Sequence, residues 1–293
     1  VVLFHYPVTA SPTLSAPTAV RRSGATRWVV TSGVSFAALV GVYFAAVLTP
    51  AGQQIEDSIL ASVEGDTLLQ SGVALDAISP TAVLAVLALT VGVALIRRRP
   101  GAAIQSAVII IGATVTAQVL KQVVPRPDLT GELYSNSFPS GHATIAVAGL
   151  LAVMTAFGRH LRPLLFVIGT AFAAIVAEQT VAYGWHRCSD VVGSCAVALL
   201  WLGIVRFAAT RWSRPTTTTD QVGVKSHAVT SSIIGLAVVV CLATSGAVWG
   251  IGIGSDMSLT GTTGYGVLDG ARLAAAGVVL VTAWIAWKLD RRV

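Results

Sequence analysis

The strongest constraint on this chain is a series of apolar stretches, each long enough to cross a bilayer. A hydrocarbon core about 30 Å thick needs about 20 apolar residues at about 1.5 Å each when the chain is helical. Eight stretches meet this, at roughly 28–49, 74–96, 102–120, 142–158, 162–178, 190–209, 229–251 and 270–287, the fourth and fifth being short. Composition excludes the soluble classes: 54% of residues are hydrophobic and 11% charged, where soluble domains carry about a quarter charged residues. The expected fold is therefore all-α, a polytopic membrane helix bundle with about eight transmembrane helices.

A net charge of +6 would point to nucleic acid in a soluble protein, but here the charges alternate by loop. With the N-terminus in the cytoplasm, 15 of the 19 basic residues fall on that side, leaving Lys121, Arg126, Arg187 and Arg272 outside. The positive-inside rule then gives an integral membrane protein with both termini cytoplasmic. Its expected location is a prokaryotic plasma membrane, its partner is the bilayer, and no nucleic-acid partner is implied. Cys188, Cys195 and Cys241 form no CxxC or Cys/His cluster, so neither a zinc site nor a disulfide scaffold is indicated. Residues Val1 to Val20 lack the basic start, apolar run and cleavage site of a signal peptide.

The expected organisation is a cytoplasmic N-terminal tail over 1–26, a six-helix core over 27–210, a cytoplasmic linker over 211–228 and a C-terminal two-helix membrane hairpin over 229–293. The linker contains Pro215 and the run Thr216 to Thr219, which bury apolar area in neither phase. In the hairpin, Gly235, Gly246 and Gly250 suit close helix contacts. Between the first two spans, Gln53 to Gln70 interleaves Glu56, Asp57, Glu64 and Asp66 with Ile55, Ile59, Leu60 and Val63. This reads either as a short helix lying on the outer surface or as a solvated loop.

Three polar stretches interrupt the apolar pattern at the outer ends of the third to sixth helices. Lys121-Gln-Val-Val-Pro-Arg126-Pro127 ends the third, Pro139-Ser140-Gly141-His142 opens the fourth, and Gly184-Trp185-His186-Arg187-Cys188-Ser189-Asp190 opens the sixth. Lys121 and Arg126 taken alone are interfacial cations of the snorkelling kind. Together with the backbone amides of Ser140-Gly141-His142 at a helix N-terminus, they supply what a phosphate dianion requires: a guanidinium fork, an ammonium and free N–H groups. Gly141 permits close approach of the backbone to an anion, and Ser140 adds a hydroxyl donor. His186 and Asp190 are spaced i, i+4, so the carboxylate reaches one ring nitrogen and leaves the other free to attack. Two histidines at one phosphate site divide the work of nucleophile and acid.

In this order, on consecutive outer helix ends, Arg126-Pro127, Pro139-Ser140-Gly141-His142 and His186-x3-Asp190 resemble the three-part signature of the membrane type 2 phosphatidic acid phosphatases. The resemblance covers about 27–209 and implies a six-helix core with a metal-independent phosphohydrolase site, without cofactor, acting on a phosphorylated lipid. Family roles carried onto matching positions make His186 the nucleophile that forms a phosphohistidine, Asp190 its orienting partner and His142 the general acid. Lys121, Arg126, Ser140 and the Gly141 amide would hold phosphate oxygens. Two departures stand out. Four residues separate Lys121 from Arg126 where the family usually has six, and Thr180 stands where the family places an arginine six residues before the nucleophilic histidine. Arg187 is the nearby replacement as a phosphate ligand; the alternatives are that it faces lipid headgroups or pairs with Glu178 or Asp190. The reading is hydrolysis of a lipid phosphate monoester or pyrophosphate at the outer face. Its rival is a non-catalytic lipid-phosphate binder or transporter whose site has decayed.

Overall fold

The computed structural model describes residues 18–63, 72–131, 136–212, 221–254 and 262–290. Every regular element among them is helical. Helix α1 spans Thr18–Val42 and runs into a π-helical turn, Tyr43–Val47. Then follow α2 (Pro50–Ala61), α3 (Val73–Asp76), α4 (Pro80–Ile96), α5 (Pro100–Val123), α6 (Gly141–Ala156), α7 (Arg162–Ala182), α8 (Cys188–Trp212), α9 (Gln221–Gly254) and α10 (Thr262–Leu289). Glu64, Asp66, His5 and the linker's threonine run lie outside the described residues.

The eight expected spans correspond to α1 and α4 to α10, with shifted ends. Six are long and apolar enough to cross a membrane; α4 and α6 are shorter apolar helices of 17 and 16 residues. The second span starts at Pro80 rather than 74 because Ser79 caps it, accepting from Ala82 N at 3.2 Å, with Pro80 in the first helical position. The fifth span is not short: α7 has 21 residues. Helix α1 already includes residues expected in the N-terminal tail, and α9 includes residues expected in the linker. The chain is an integral membrane protein by the length and composition of these helices.

Of the six long spans, α8 is the most enclosed, packed among α1, α5, α6 and α10, and α9 the least. The C-terminal hairpin shares the main core. Trp287 of α10 stacks on Phe166 of α7 at 4.8 Å between ring centroids, and Asp290 bonds Arg206 of α8 at 2.8 Å and pairs with Arg162 at 3.3 Å. Of the three hairpin glycines expected at helix contacts, Gly235 lies against Trp284, whereas Gly246 and Gly250 face open space. Trp249 and Leu242 of α9 instead lie over Gly270 and Gly277 of α10, where a Cβ would clash with them.

Candidate phosphate site

The three polar stretches meet at one end of the bundle, at the ends of α5 and α7 and the starts of α6 and α8. Gly184 follows α7 with a φ of +68°, a left-handed turn that glycine adopts without steric cost. The chain reverses there, His186 N donates to Thr180 O at 3.0 Å, and α8 begins two residues later. Asp190, in the first turn of α8, is fully buried. Its Oδ2 accepts from His186 Nδ1 at 3.2 Å, Ser137 Oγ at 2.6 Å and Arg187 N at 3.0 Å. The carboxylate fixes the tautomer with the proton on Nδ1, which leaves the Nε2 lone pair available.

Helix α6 is locked to α8 at its first residue. Ser140 caps it, accepting from Ala143 N at 3.3 Å, and Ser140 N donates to Asp190 O at 3.1 Å. The Ser194 hydroxyl lies 2.7 Å from Ser140 O and 2.8 Å from Asp190 O. Gly193 makes room for the Phe138 ring: a Cβ there would sit 2.6 Å from Phe138 Cζ and push the ring away from α8. His142, the second residue of α6, faces His186 with ring centroids 6.4 Å apart and meets Trp185 edge-on at 5.4 Å. Lys121 reaches the same place from the last turn of α5. Its Nζ lies 3.7 Å from where a Cβ on Gly141 would be, over the unpaired amides that open α6. Asn136 joins the two loops, its Nδ2 donating to Lys121 O and Val124 O at 3.2 and 2.8 Å.

Arg126 is buried, with 3% of its side chain exposed, and its Nη1 stands 3.8 Å from Asp190 Oδ1. Neither of those two atoms has a hydrogen-bond partner. Nη2 donates to Glu56 Oε2 at 3.1 Å. Arg187 turns inward as well, its Nη2 donating to Asp57 Oδ1 at 3.0 Å and its Nη1 reaching Ser137 Oγ at 3.4 Å. Its ion-pair partner is thus Asp57, while Glu178 pairs with Arg272 of α10. Thr180 is buried and its hydroxyl donates to Ala177 O at 2.8 Å.

Helix α2 is the part of the site that sequence reasoning missed. The expected surface helix exists, but its acids face inward. Gln53, Glu56 and Asp57 are all buried, because cations removed from water by the bundle need carboxylate partners. Gln53 Nε2 donates to Val47 O and Pro127 O, both at 2.7 Å, and Gln53 Oε1 accepts from Leu129 N at 3.1 Å. Glu56 Oε1 accepts from Ser189 N at 2.9 Å, and Asp57 Oδ2 accepts from the Thr130 hydroxyl at 2.8 Å. Burial raises the Glu56 carboxyl above its ordinary range, Asp190 adds to this, and the Ser189 and Arg126 contacts oppose it. Glu56, His186 and Arg187 line one small cavity. The available signal was charge balance, since three of the four expected outer cations stand in the polar stretches and an acid-rich segment precedes them. Ser137 and Asn136 gave no signal beyond being polar.

Among the described residues no group of three or more His, Cys, Asp or Glu side chains is arranged to hold a metal ion. What the arrangement offers is an oriented imidazole, a second imidazole facing it, and cations with helix-start amides around the gap. Chemically, this arrangement suits a phosphoryl group. The sequence model of the PAP2 superfamily matches residues 81–214, so the chain carries a PAP2-type region from α4 to the end of α8. A match of this kind supports phosphatase-type activity. Among curated proteins and among solved structures, none matches the chain.

Proposed function

We propose that the chain hydrolyses a lipid phosphate monoester or pyrophosphate at the outer membrane face, without a metal, through a phosphohistidine on His186. The observation that carries this is the His186–Asp190 pair with the His142 ring facing it, 6.4 Å between the ring centroids. A nucleophilic nitrogen about 3–3.5 Å from phosphorus and a proton donor within about 2.8 Å of the leaving oxygen call for two imidazoles that face one site, which this pair supplies. Neutral His186 attacks in line through Nε2, the phosphorus–oxygen bond to the leaving group breaks, and protonated His142 supplies the leaving oxygen's proton, giving a lipid alcohol from a monoester or a lipid monophosphate from a pyrophosphate. Water, deprotonated by His142, then hydrolyses the phosphohistidine and releases inorganic phosphate. Lys121, Arg126, Arg187, Ser140 and the Gly141 amide stabilise the equatorial oxygens, where transition-state charge lies.

A lipid leaving group is supported by an apolar cleft of about 200 Å³ among α4, α5, α6 and α7, lined in part by Ile78, Val83, Ile110, Ile145, Gly149 and Phe172. Ile145 lies one turn below His142 on α6, so a headgroup in the site would place its chain toward this cleft. The outer-face assignment rests on the loop charges, which place all three polar stretches opposite the basic loops. The test is phosphate release from a panel of lipid phosphates by the purified chain with chelator present. Turnover that is lost in His186→Ala supports the reading. Saturable binding of the same lipids with no phosphate released would favour the binder, to which the uncharged Thr180 points.

A further inference from the structure

The two arginines of the site are held from behind by acids on α2, a helix outside the PAP2-matched residues 81–214. We propose that Glu56 and Asp57 are positioning residues for phosphate binding, each anchoring one terminal nitrogen of an arginine so that the guanidinium stays aimed into the pocket. This rests on reading the site as a phosphate pocket.

The geometry separates anchoring from occupation. Glu56 engages only Nη2 of Arg126, and Nη1 is left buried without a hydrogen-bond partner on the side of Asp190. Its other oxygen takes Ser189 N, the amide directly before Asp190, so one carboxylate links the loop after α5 to the start of α8. Asp57 does the same one residue later, with Oδ1 on Arg187 Nη2 and Oδ2 on the Thr130 hydroxyl. Gln53, one turn earlier, fixes the 127–129 backbone. The three side chains form one inward face at i, i+3 and i+4 spacing. A long flexible side chain such as arginine loses rotamer entropy on ordering. Anchoring it before the ligand arrives transfers that cost to folding and leaves a preorganised fork for phosphate. Asp57 also accounts for Arg187 lying inside: the pair draws in a guanidinium on the turn after α7, where Thr180 supplies none.

The test uses the full chain in detergent and inorganic orthophosphate as probe, titrated calorimetrically, with Glu56→Gln, Asp57→Asn, Arg126→Ala, Arg187→Ala and the two paired double variants. Each single variant is expected to weaken orthophosphate by about 10-fold, a coupling within the range for residues in one network. Asp57→Asn should add little in the Arg187→Ala background, and Glu56→Gln little in the Arg126→Ala background, because each acid acts through its arginine. A purely structural acid would give losses that multiply. Melting temperatures establish that the variants are folded. Where a neutral variant does not fold, Glu56→Asp and Asp57→Glu carry the same cycle, since they keep the charge and move it by one methylene. Multiplying losses, unchanged affinity or tighter binding overturns the proposal; tighter binding would mean that the carboxylates stand where phosphate must go. Wild-type chain that binds no orthophosphate overturns the phosphate reading of the site and this proposal with it.

Discussion

Asp190→Asn removes one charge and almost no volume at the point where the polar stretches converge. In the wild-type site a single oxygen, Oδ2, accepts from His186 Nδ1, Ser137 Oγ and Arg187 N. An asparagine can present its carbonyl to the same three donors, but its amide then points at Arg126 Nη1, which lies 3.8 Å from Oδ1. What is lost is the carboxylate facing the imidazolium that forms as His186 takes the phosphoryl group. Two unit charges about 4 Å apart interact by about 4 kcal/mol at an effective dielectric of about 20. At about 1.4 kcal/mol per decade of rate, that is a loss of about 10³-fold in phosphoryl transfer. The assay is single-turnover release of the lipid alcohol, which isolates formation of the phosphoenzyme, alongside melting temperatures that establish folding. Ser137→Ala is the internal comparison, since it removes a neutral donor from the same oxygen; it should cost no more than about 10²-fold, in line with a bond to a charged group worth about 1.5–3 kcal/mol. An Asp190→Asn enzyme that is folded and within a few-fold of wild type would refute the reasoning that Asp190 stabilises a charged His186.

His142→Ala should reduce turnover by about 10²- to 10⁴-fold, the usual value of a general acid, and the wild-type pH profile should be bell-shaped because one histidine works neutral and the other charged; a few-fold loss or a flat profile from about pH 5 to 8 contradicts the pair. Glu56, raised above its ordinary value of 4.5 by burial, binds its proton more tightly folded than unfolded. Its contribution to stability is full below that unfolded value and is lost as pH rises through the folded one. The melting temperature of wild type should accordingly fall over that window relative to Glu56→Gln, and parallel curves would contradict the raised value. A single cysteine at Leu129, placed in a background lacking Cys188, Cys195 and Cys241, should react with an impermeant maleimide in intact cells, whereas labelling only after lysis would invert the proposed topology.

The helices and the three polar stretches were legible because both depend on contrast: apolar runs of membrane length, and charged or prolyl residues where such runs stop. His186 and Asp190 were readable as a pair because four residues on a helix fix their spacing. What escaped was contact between distant segments. The alternation in Gln53 to Ala61 shows that the acids share a face, but periodicity does not say whether that face meets water or protein. Glu56 and Asp57 reach Arg126 and Arg187 across 70 and 130 residues of chain. The same limit explains Arg187, for which the sequence offered Glu178 and Asp190, its near neighbours, while Glu178 was taken by Arg272 from α10. The hairpin glycines mark the limit within one element: their size permits close contact, and the rotation of α9 decides that only Gly235 of the three uses it.

The most direct measurement is the fate of the phosphoryl group itself. Purified chain with chelator present is mixed with a lipid phosphate labelled with ³²P on its terminal phosphorus and quenched within one turnover. The expected result is label on the protein that is stable in alkali and lost in acid, as a phosphohistidine must be, absent from His186→Ala, together with release of labelled inorganic phosphate at longer times. Phosphate released at the wild-type rate by His186→Ala, or no release from any lipid phosphate in the panel, would contradict the proposed reaction.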